Sequence, residues 1–327
     1  MRRQLELQLQ SGIGASGQSW PRVAVMGAGA VGCYYGGMLA RAGASVTLIG
    51  RAAHVDAIAA HGLKFDGLAF QETINLTAST RTDALVDAEL ILFCVKSTDT
   101  AAVGRDIAPL VKSTALILAL QNGVDNPQAI AHEVACPVIP AVVYVACNMG
   151  GPGHVRHTGR GDLVIGAMRG AAHAPTSDQV MRLAATLERA GVPCRVSANV
   201  EGELWGKLLI NCTYNAISAL GRARYKRLVA LEDTRALMRA VVLEVLAVAE
   251  ASGVTMPASD WTEVALGLAD SMPEATSSTA QDLARGKRTE IDHLNGFLAR
   301  RGAALGIDTP VNRTLYALVK LAEDALE

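Results

Sequence analysis

The sequence predicts an α/β chain: a doubly wound parallel sheet in the N-terminal part, followed by an all-helical domain. Three observations carry this. Short, wholly apolar runs alternate with helix-length segments up to about residue 197. A glycine-spaced turn joins the first such run to the first helix. After Asn199 the apolar residues recur at helical spacing instead. The reading divides the chain into an extension over 1–20, a sheet domain over 21–197 and a helical domain over 198–327.

The elements follow in order. RVAVM, from Arg22, is a buried strand, and GAGAVG leads into a helix from Ala30 to Ala42 that Gly43 stops. SVTLIG returns as a strand, and strands are expected around Gly67 between Leu63 and Thr77. ELILFCVK and TALILALQNG are two more buried strands, separated by a helix-sized segment that includes Thr98 to Leu110. The stretch from Pro137 to Ile165 is strand-rich, and VRHTGRGDLVIG reads as a hairpin with Gly159–Gly161 near its tip. A helix from Ser177 to Ala190 precedes a short strand at Cys194–Val196. Helices are then expected from Val200 to Leu220, Thr234 to Ala251, Trp261 to Leu268 and Glu290 to Leu305, with Gly253, Pro257, Gly306 and Pro310 as punctuation.

Composition narrows the function classes. The 327 residues are 50% hydrophobic and 19% charged with a formal charge of −1, which describes a globular chain with no electrostatic case for nucleic-acid or anionic-membrane binding. With aromatics at 4%, the core is filled mainly by Leu, Val, Ile and Ala. Cys33, Cys94, Cys136, Cys147, Cys194 and Cys212 form no CxxC and no Cys/His cluster, so they read as small buried hydrophobes in a reducing compartment, with no metal. No apolar run reaches the roughly 18 residues of a membrane span. The first twenty residues lack the apolar core of a secretory signal and read as a disordered extension, so a cytoplasmic location is expected.

Gly27, Gly29 and Gly32 make G-x-G-x-x-G between a strand and a helix. In that context the first glycine permits the tight turn, the second lets backbone approach a pyrophosphate, and the third allows close helix–strand packing. The segment Gly27, Ala28, Gly29, Ala30, Val31, Gly32 is thus a candidate dinucleotide cradle on a helix N-terminus, in a Rossmann-type domain. Sites selective for the unphosphorylated ribose place Asp or Glu about twenty residues on. Here SVTLIGR ends in Gly50 and Arg51, with no carboxylate before Asp56, which favours a 2′-phosphate and hence NADP(H). Lys96 follows the ILFCV strand, where a second cation would meet the nucleotide; taken alone it is equally an ordinary surface lysine.

GKLLINCTYN, from Gly206 to Asn215, sets Lys207, Asn211 and Asn215 on one face of an otherwise apolar helix. An ammonium can donate a proton to, and balance charge on, a carbonyl oxygen under hydride attack, while the asparagines grip substrate oxygens. The stripe can equally be a lysine reaching water along its stem, with the asparagines bridging neighbours. Glu290 and Asp292 stand at a helix start that Thr289 can cap, where acidic residues favour the dipole. Ser277, Ser278 and Asp282 read as turn and cap residues. Asn122 is a turn residue or, following a strand C-terminus, part of a ligand crevice.

Taken together, GAGAVG, CVKS, QNG, WGKLLINCTYNAISAL, SSTAQDLARGKRTEIDHLNG and GIDTPVNRTLY resemble the ketopantoate reductase (2-dehydropantoate 2-reductase) family from Pro21 to about Lys320. The resemblance implies NADPH-dependent reduction of 2-dehydropantoate to (R)-pantoate, a step toward pantothenate and coenzyme A. It assigns Lys207 as the catalytic lysine and Glu290 as the acid that holds the substrate hydroxyls and influences that lysine. Asn211 and Asn215 match the asparagines of the substrate cleft, Ser278 a serine near the substrate carboxylate, and Asn122 the asparagine between cofactor and substrate. Arg51 and Lys96 match cations near the adenosine phosphate. The implied partner is a small-molecule 2-keto acid, with no nucleic acid and no membrane, and the implied assembly extends to a homodimer. One departure bears on the substrate. Where the family continues its asparagine segment into proline, Asn215 here is followed by Ala216, Ile217 and Ser218, which removes a residue that fixes φ and lacks a donor. Two rival readings are a reductase of another 2-keto acid on the same scaffold and a non-catalytic NADP-binding redox sensor.

Overall fold

The apolar runs pair as the alternation of their side chains dictates. A computed structural model describes residues 19–326, which group into two units: one containing the chain up to Gln121 and Asn126–Val200, the other Asn122–Asp125 and Glu201 onward. The 1–18 part of the expected extension lies outside the described residues. Trp20, expected to belong to that extension, instead packs against the sheet core with the Arg189 guanidinium 3.6 Å above its ring.

Among the described residues the first unit is built on ten strands. Six of them are β1 (Val23–Met26), β2 (Val46–Ile49), β5 (Thr77–Ser79), β6 (Leu90–Phe93), β7 (Leu116–Ala119) and β8 (Val138–Gly151). They lie side by side as β5-β2-β1-β6-β7-β8, all parallel, with Val23 opposite Val46 on one side and Leu90 on the other. Counted along these six, the order is 3-2-1-4-5-6, the doubly wound arrangement that binds dinucleotides at the point where the order reverses, between β1 and β6. Alternate residues feed two cores. Val23, Val25, Leu90, Leu92 and Leu118 pack on one face with helices α1 (Ala30–Arg41) and α5 (Ser177–Arg189). Ala24, Ile91, Phe93 and Ile117 pack on the other, with α3 (Thr100–Ile107) and α4 (Asn126–Glu133). A strand covered on both sides must be apolar throughout, which is why β6 reads LILF. The remaining helix of this unit, α2 (Ala52–His61), follows β2.

Beyond β8 the sheet turns back on itself. The antiparallel partner β9 (His154–Ile165) pairs with β8, and β3 (Leu63–Asp66), β4 (Gln71–Ile74) and β10 (Cys194–Val196) complete it. The expected hairpin tip at Gly159–Gly161 is corrected here: the turn is Pro152–Gly153, between Gly151 at the end of β8 and His154 at the start of β9, and the later glycines lie inside β9. They mark irregularities rather than a reversal. The pairing shifts between Tyr144 and Val145 and again between Ala146 and Cys147, so Gly161 and Thr158 are extra residues on β9. Gly161 takes φ 143° and leaves no room for a side chain beside the Tyr34 hydroxyl.

The second unit contains helices and no strand among the described residues. At its centre lies α6 (Val200–Gly221), with α7 (Tyr225–Val229), α8 (Glu232–Ala251), α9 (Trp261–Ser271), α10 (Ser278–Ala284), α11 (Asn295–Leu305) and α12 (Pro310–Asp324). Leu208, Leu209, Cys212, Tyr214 and Ala216 are fully buried, so α6 is covered on most of its circumference. Two sequence readings are corrected here. The helix expected from Glu290 begins only at Asn295, after a 3₁₀ turn at Ile291–His293 and a break at Leu294 (φ −114°, ψ −108°). Pro310, read as punctuation after the last expected helix, is the first residue of a further helix, α12, where its missing N–H removes no helical hydrogen bond.

Candidate active site

The glycine turn is positioned by the ends of two strands. Gly27 and Ala28 donate their amides to the Ile49 carbonyl at 2.9 and 3.1 Å, and Cys94 donates its own to Met26. Gly27 has φ 110°, and a Cβ there would stand 2.7 Å from the Cys94 carbonyl carbon, so this position requires glycine for both backbone angle and proximity. A Cβ on Gly32 would fall on the Gly27 carbonyl oxygen. Gly29 differs: a Cβ there would meet nothing within 4 Å. The space over the turn at the start of α1 is therefore open. Ala30, Val31 and Gly32 form the first turn of α1, which carries no acidic residue and no side-chain cap at Gly29. The positive end of the helix therefore faces no negative charge from its own first turn. Ala28 is buried, packed within 2.5 Å of where a Cβ on Gly50 would lie.

The two expected cations sit at the corresponding strand ends. Arg51 is exposed at the N-cap position of α2, directly after β2, and among the described residues its guanidinium has no ion-pair partner. Lys96 is exposed at the start of the 3₁₀ turn Ser97–Asp99, at the end of β6, the strand that neighbours β1 at the reversal of strand order. Behind it, Ser97, Thr100, Gln121 and Asn126 are buried and bonded to one another, with Gln121 donating to Thr100 Oγ1 at 2.7 Å and Asn126 to Ser97 Oγ at 3.0 Å. These bonds fix the loops that leave β6 and β7.

In the helical unit the polar stripe of α6 is partly open toward its N-terminal end and buried at Asn215. Lys207 and Asn211 are half-buried, as are Glu201, Glu203 and Ile210 on the same helix, and Asn215 is 4% exposed. Asn215 Nδ2 lies 3.5 Å from Ser278 Oγ, and the Asn215 carbonyl accepts from Ser277 Oγ at 3.0 Å. Ser277 caps α10 by accepting from the Ala280 amide, which sets Ser278 as the first residue of that helix. The Asn215-Ala216-Ile217-Ser218 segment does not end the helix: α6 runs on to Gly221, and Ser218 Oγ accepts from the Ser277 amide at 3.3 Å. Ser218, two residues after the position where the family pattern has proline, thus helps fix the start of α10.

Glu290 accepts from Asn122 Nδ2 at 3.1 Å. Asn122 follows a strand of the sheet, yet residues 122–125 group with the helices. A second tie explains why. His293 Nδ1 stands 3.1 Å from Asp125 Oδ2, and the Asp125 hydrogen bond raises the imidazole pKa against the opposing effect of burial. Asp125 and His293 were not foreseen from sequence, although His293 lies three residues after Glu290, a spacing that places the two on neighbouring sides of a turn. Trp261 was likewise unforeseen: its ring occupies the space that a side chain at Gly206 would need, beside Lys207 in sequence. Among the described residues no group of three or more His, Cys, Asp or Glu is placed to hold a metal, and no helix is long and apolar enough to cross a membrane.

A glycine turn at the reversal point of a doubly wound sheet, carried on one chain with a helical unit that presents a lysine–asparagine face, defines a nicotinamide-dinucleotide oxidoreductase. Residues 23–170 match the family described as "Ketopantoate reductase PanE/ApbA", and residues 199–323 match "Ketopantoate reductase PanE/ApbA C terminal". The chain belongs to the ketopantoate reductase family. A 2-dehydropantoate 2-reductase of Halobacterium salinarum is 34% identical over 307 residues, covering 92% of this chain and 99% of the relative. The crystal structure of a PanE/ApbA family ketopantoate reductase from Ralstonia eutropha JMP134 superposes with TM-score 0.88 at 53% identity, covering 93% of this chain and 99% of that one. D-mandelate dehydrogenase, in a ternary structure with NADH and anilino(oxo)acetate, superposes with TM-score 0.85 at 25% identity over 93% and 99% of the two chains.

Proposed function

We propose that the protein reduces 2-dehydropantoate to (R)-pantoate with NADPH. The observation that carries this is the half-buried Lys207–Asn211 pair on a mostly buried helix, continued by Asn215 to Ser278. Polar groups on a mostly buried helix cost free energy unless they are bonded, and a bound substrate would supply such bonds. Bound NADPH supplies the hydride to the keto carbon. Lys207 donates the proton to the keto oxygen and stabilises the charge that develops there. Asn211 and Asn215 orient the substrate, Ser278 binds its carboxylate, and Glu290, directed by Asn122, accepts from its hydroxyls. Arg51 and Lys96 bind the adenosine phosphate, and Gly27 to Gly32 hold the pyrophosphate. The domains act as the nucleotide-binding part over 21–197 and the substrate part over 198–327, in the cytoplasm, and the protein assembles as a homodimer.

A second reading is favoured by one specific feature. Asn215 is followed by Ala216 in a continuing helix, and a structurally similar enzyme of this scaffold acts on mandelate. On this reading the same chemistry serves another 2-keto acid. A panel of 2-keto acids with NADPH, followed by absorbance at 340 nm, is expected to show 2-dehydropantoate turned over with the highest kcat/KM. Faster turnover of another acid establishes the second reading, and binding of NADPH without turnover of any acid establishes a redox sensor.

Cofactor choice has its own test. Arg51→Ala is expected to weaken NADPH binding by roughly 10–100-fold, the worth of a charge-assisted contact to phosphate, while NADH binding changes little. Equal losses for both nucleotides in a binding titration discard the 2′-phosphate assignment of Arg51.

A further inference from the structure

We infer that Glu323 is a positioning residue for Glu290, holding the segment that bears it through Thr289 before it and Asp292 after it. This rests on the role given to Glu290 above. Glu323 lies near the end of α12 with 7% of its surface exposed, an expensive place for a carboxylate unless its oxygens are bonded. One oxygen accepts from both the amide and the hydroxyl of Thr289, each at 2.6 Å. The other accepts from Lys320 at 2.6 Å. Thr289 is thereby fixed immediately before Glu290, and because its hydroxyl donates to Glu323, its lone pairs are left to accept from the Ile291 amide at 3.2 Å.

The far side of Glu290 is held by the same helix. Lys320 reaches from Glu323 to Asp292 at 3.2 Å, and the Tyr316 hydroxyl donates to the other Asp292 oxygen at 2.7 Å. Arg300 donates to the Asp292 carbonyl at 2.6 Å. Gly296 makes room for this, since a Cβ there would stand 2.7 Å from the Tyr316 ring. Burial opposes the Glu323 charge, but the bonds from Lys320 and Thr289 outweigh it, and the carboxyl stays below the usual range. A three-residue 3₁₀ turn has little rigidity of its own. Its direction, and with it the aim of Glu290 at Asn122, is set by α12.

The test is a double-mutant cycle of Glu323→Gln and Glu290→Gln in the full chain. Glu323→Gln is expected to lower kcat/KM for the 2-keto acid about tenfold, as misplacement of a substrate-holding group does, with KM for NADPH unchanged. In the Glu290→Gln background the same change is expected to cost nothing further. Hydrogen exchange of the amides over residues 289–294 is expected to rise in Glu323→Gln. If that variant fails to fold, Tyr316→Phe removes only the bond to Asp292 and is expected to show the same pattern at about threefold. A loss that persists in full without Glu290, or unchanged exchange over 289–294, overturns the positioning role alone. Glu290→Gln with wild-type kinetics overturns both this role and the assignment of Glu290. If the wild-type protein reduces no acid in the panel, the proposed function fails, while the exchange measurement still decides whether Glu323 holds the segment.

Discussion

Replacing Lys207 with alanine is expected to lower kcat/KM for the 2-keto acid by about 10²-fold or more, the range seen when a positioned proton donor is lost. The fold should tolerate the change. Lys207 is half-buried on α6, and the helix is held by its other faces: Tyr214 donates to the Ala265 carbonyl at 2.7 Å, and Asn295 to the Cys212 carbonyl at 3.1 Å. NADPH affinity is expected to stay within about twofold, because the nucleotide contacts are assigned to other residues. Steady-state kinetics alongside a thermal melt check this. Full activity in a folded Lys207→Ala protein would remove the lysine from the mechanism.

The second large effect separates the glycines of the turn. Gly32→Ala forces its methyl onto the Gly27 carbonyl oxygen, a backbone atom that cannot move without opening the turn. The cost is expected to reach about 3 kcal/mol, the upper end for overpacking, with NADPH binding abolished. Gly29→Ala meets open space, so stability is expected to change by less than about 0.5 kcal/mol. Its methyl would instead occupy the room assigned to the pyrophosphate, so NADPH binding should still fall at least tenfold, by roughly the worth of one charged hydrogen bond. Melting curves and nucleotide titrations on the two variants check the pair. Normal binding in a stable Gly29→Ala protein would show that the space over the turn is not the phosphate site.

Much of this was legible in the chain because the constraints are local. A tight strand-to-helix turn demands glycine where φ is positive or where backbone approaches, so Gly27 and Gly32 announce the turn without reference to distant residues. Strands covered on both faces announce themselves as unbroken apolar runs, as LILF does. The errors occur where one residue type serves two purposes. Glycine marks both turns and bulges, so Gly159–Gly161 drew the hairpin tip about seven residues too far along. Proline marks both stops and starts, so α12 was missed. Acidic residues with a preceding threonine read as a helix start, yet Thr289 turns its hydroxyl to Glu323, 34 residues away, and no periodicity relates the two. The pairing of Asn122 with Glu290, 168 residues apart, is invisible for the same reason.

The grouping of residues 122–125 with the helices also constrains how members of this family can be recombined. Chain order suggests a single seam near Val200, across which one nucleotide-binding half could be exchanged for another. Such a chimera would keep Glu290 and His293 but inherit foreign residues at 122 and 125, the positions that bond to them. A faithful exchange has to transplant a four-residue island from the middle of the first half along with the second, because inheritance of this site does not follow the linear order of the gene.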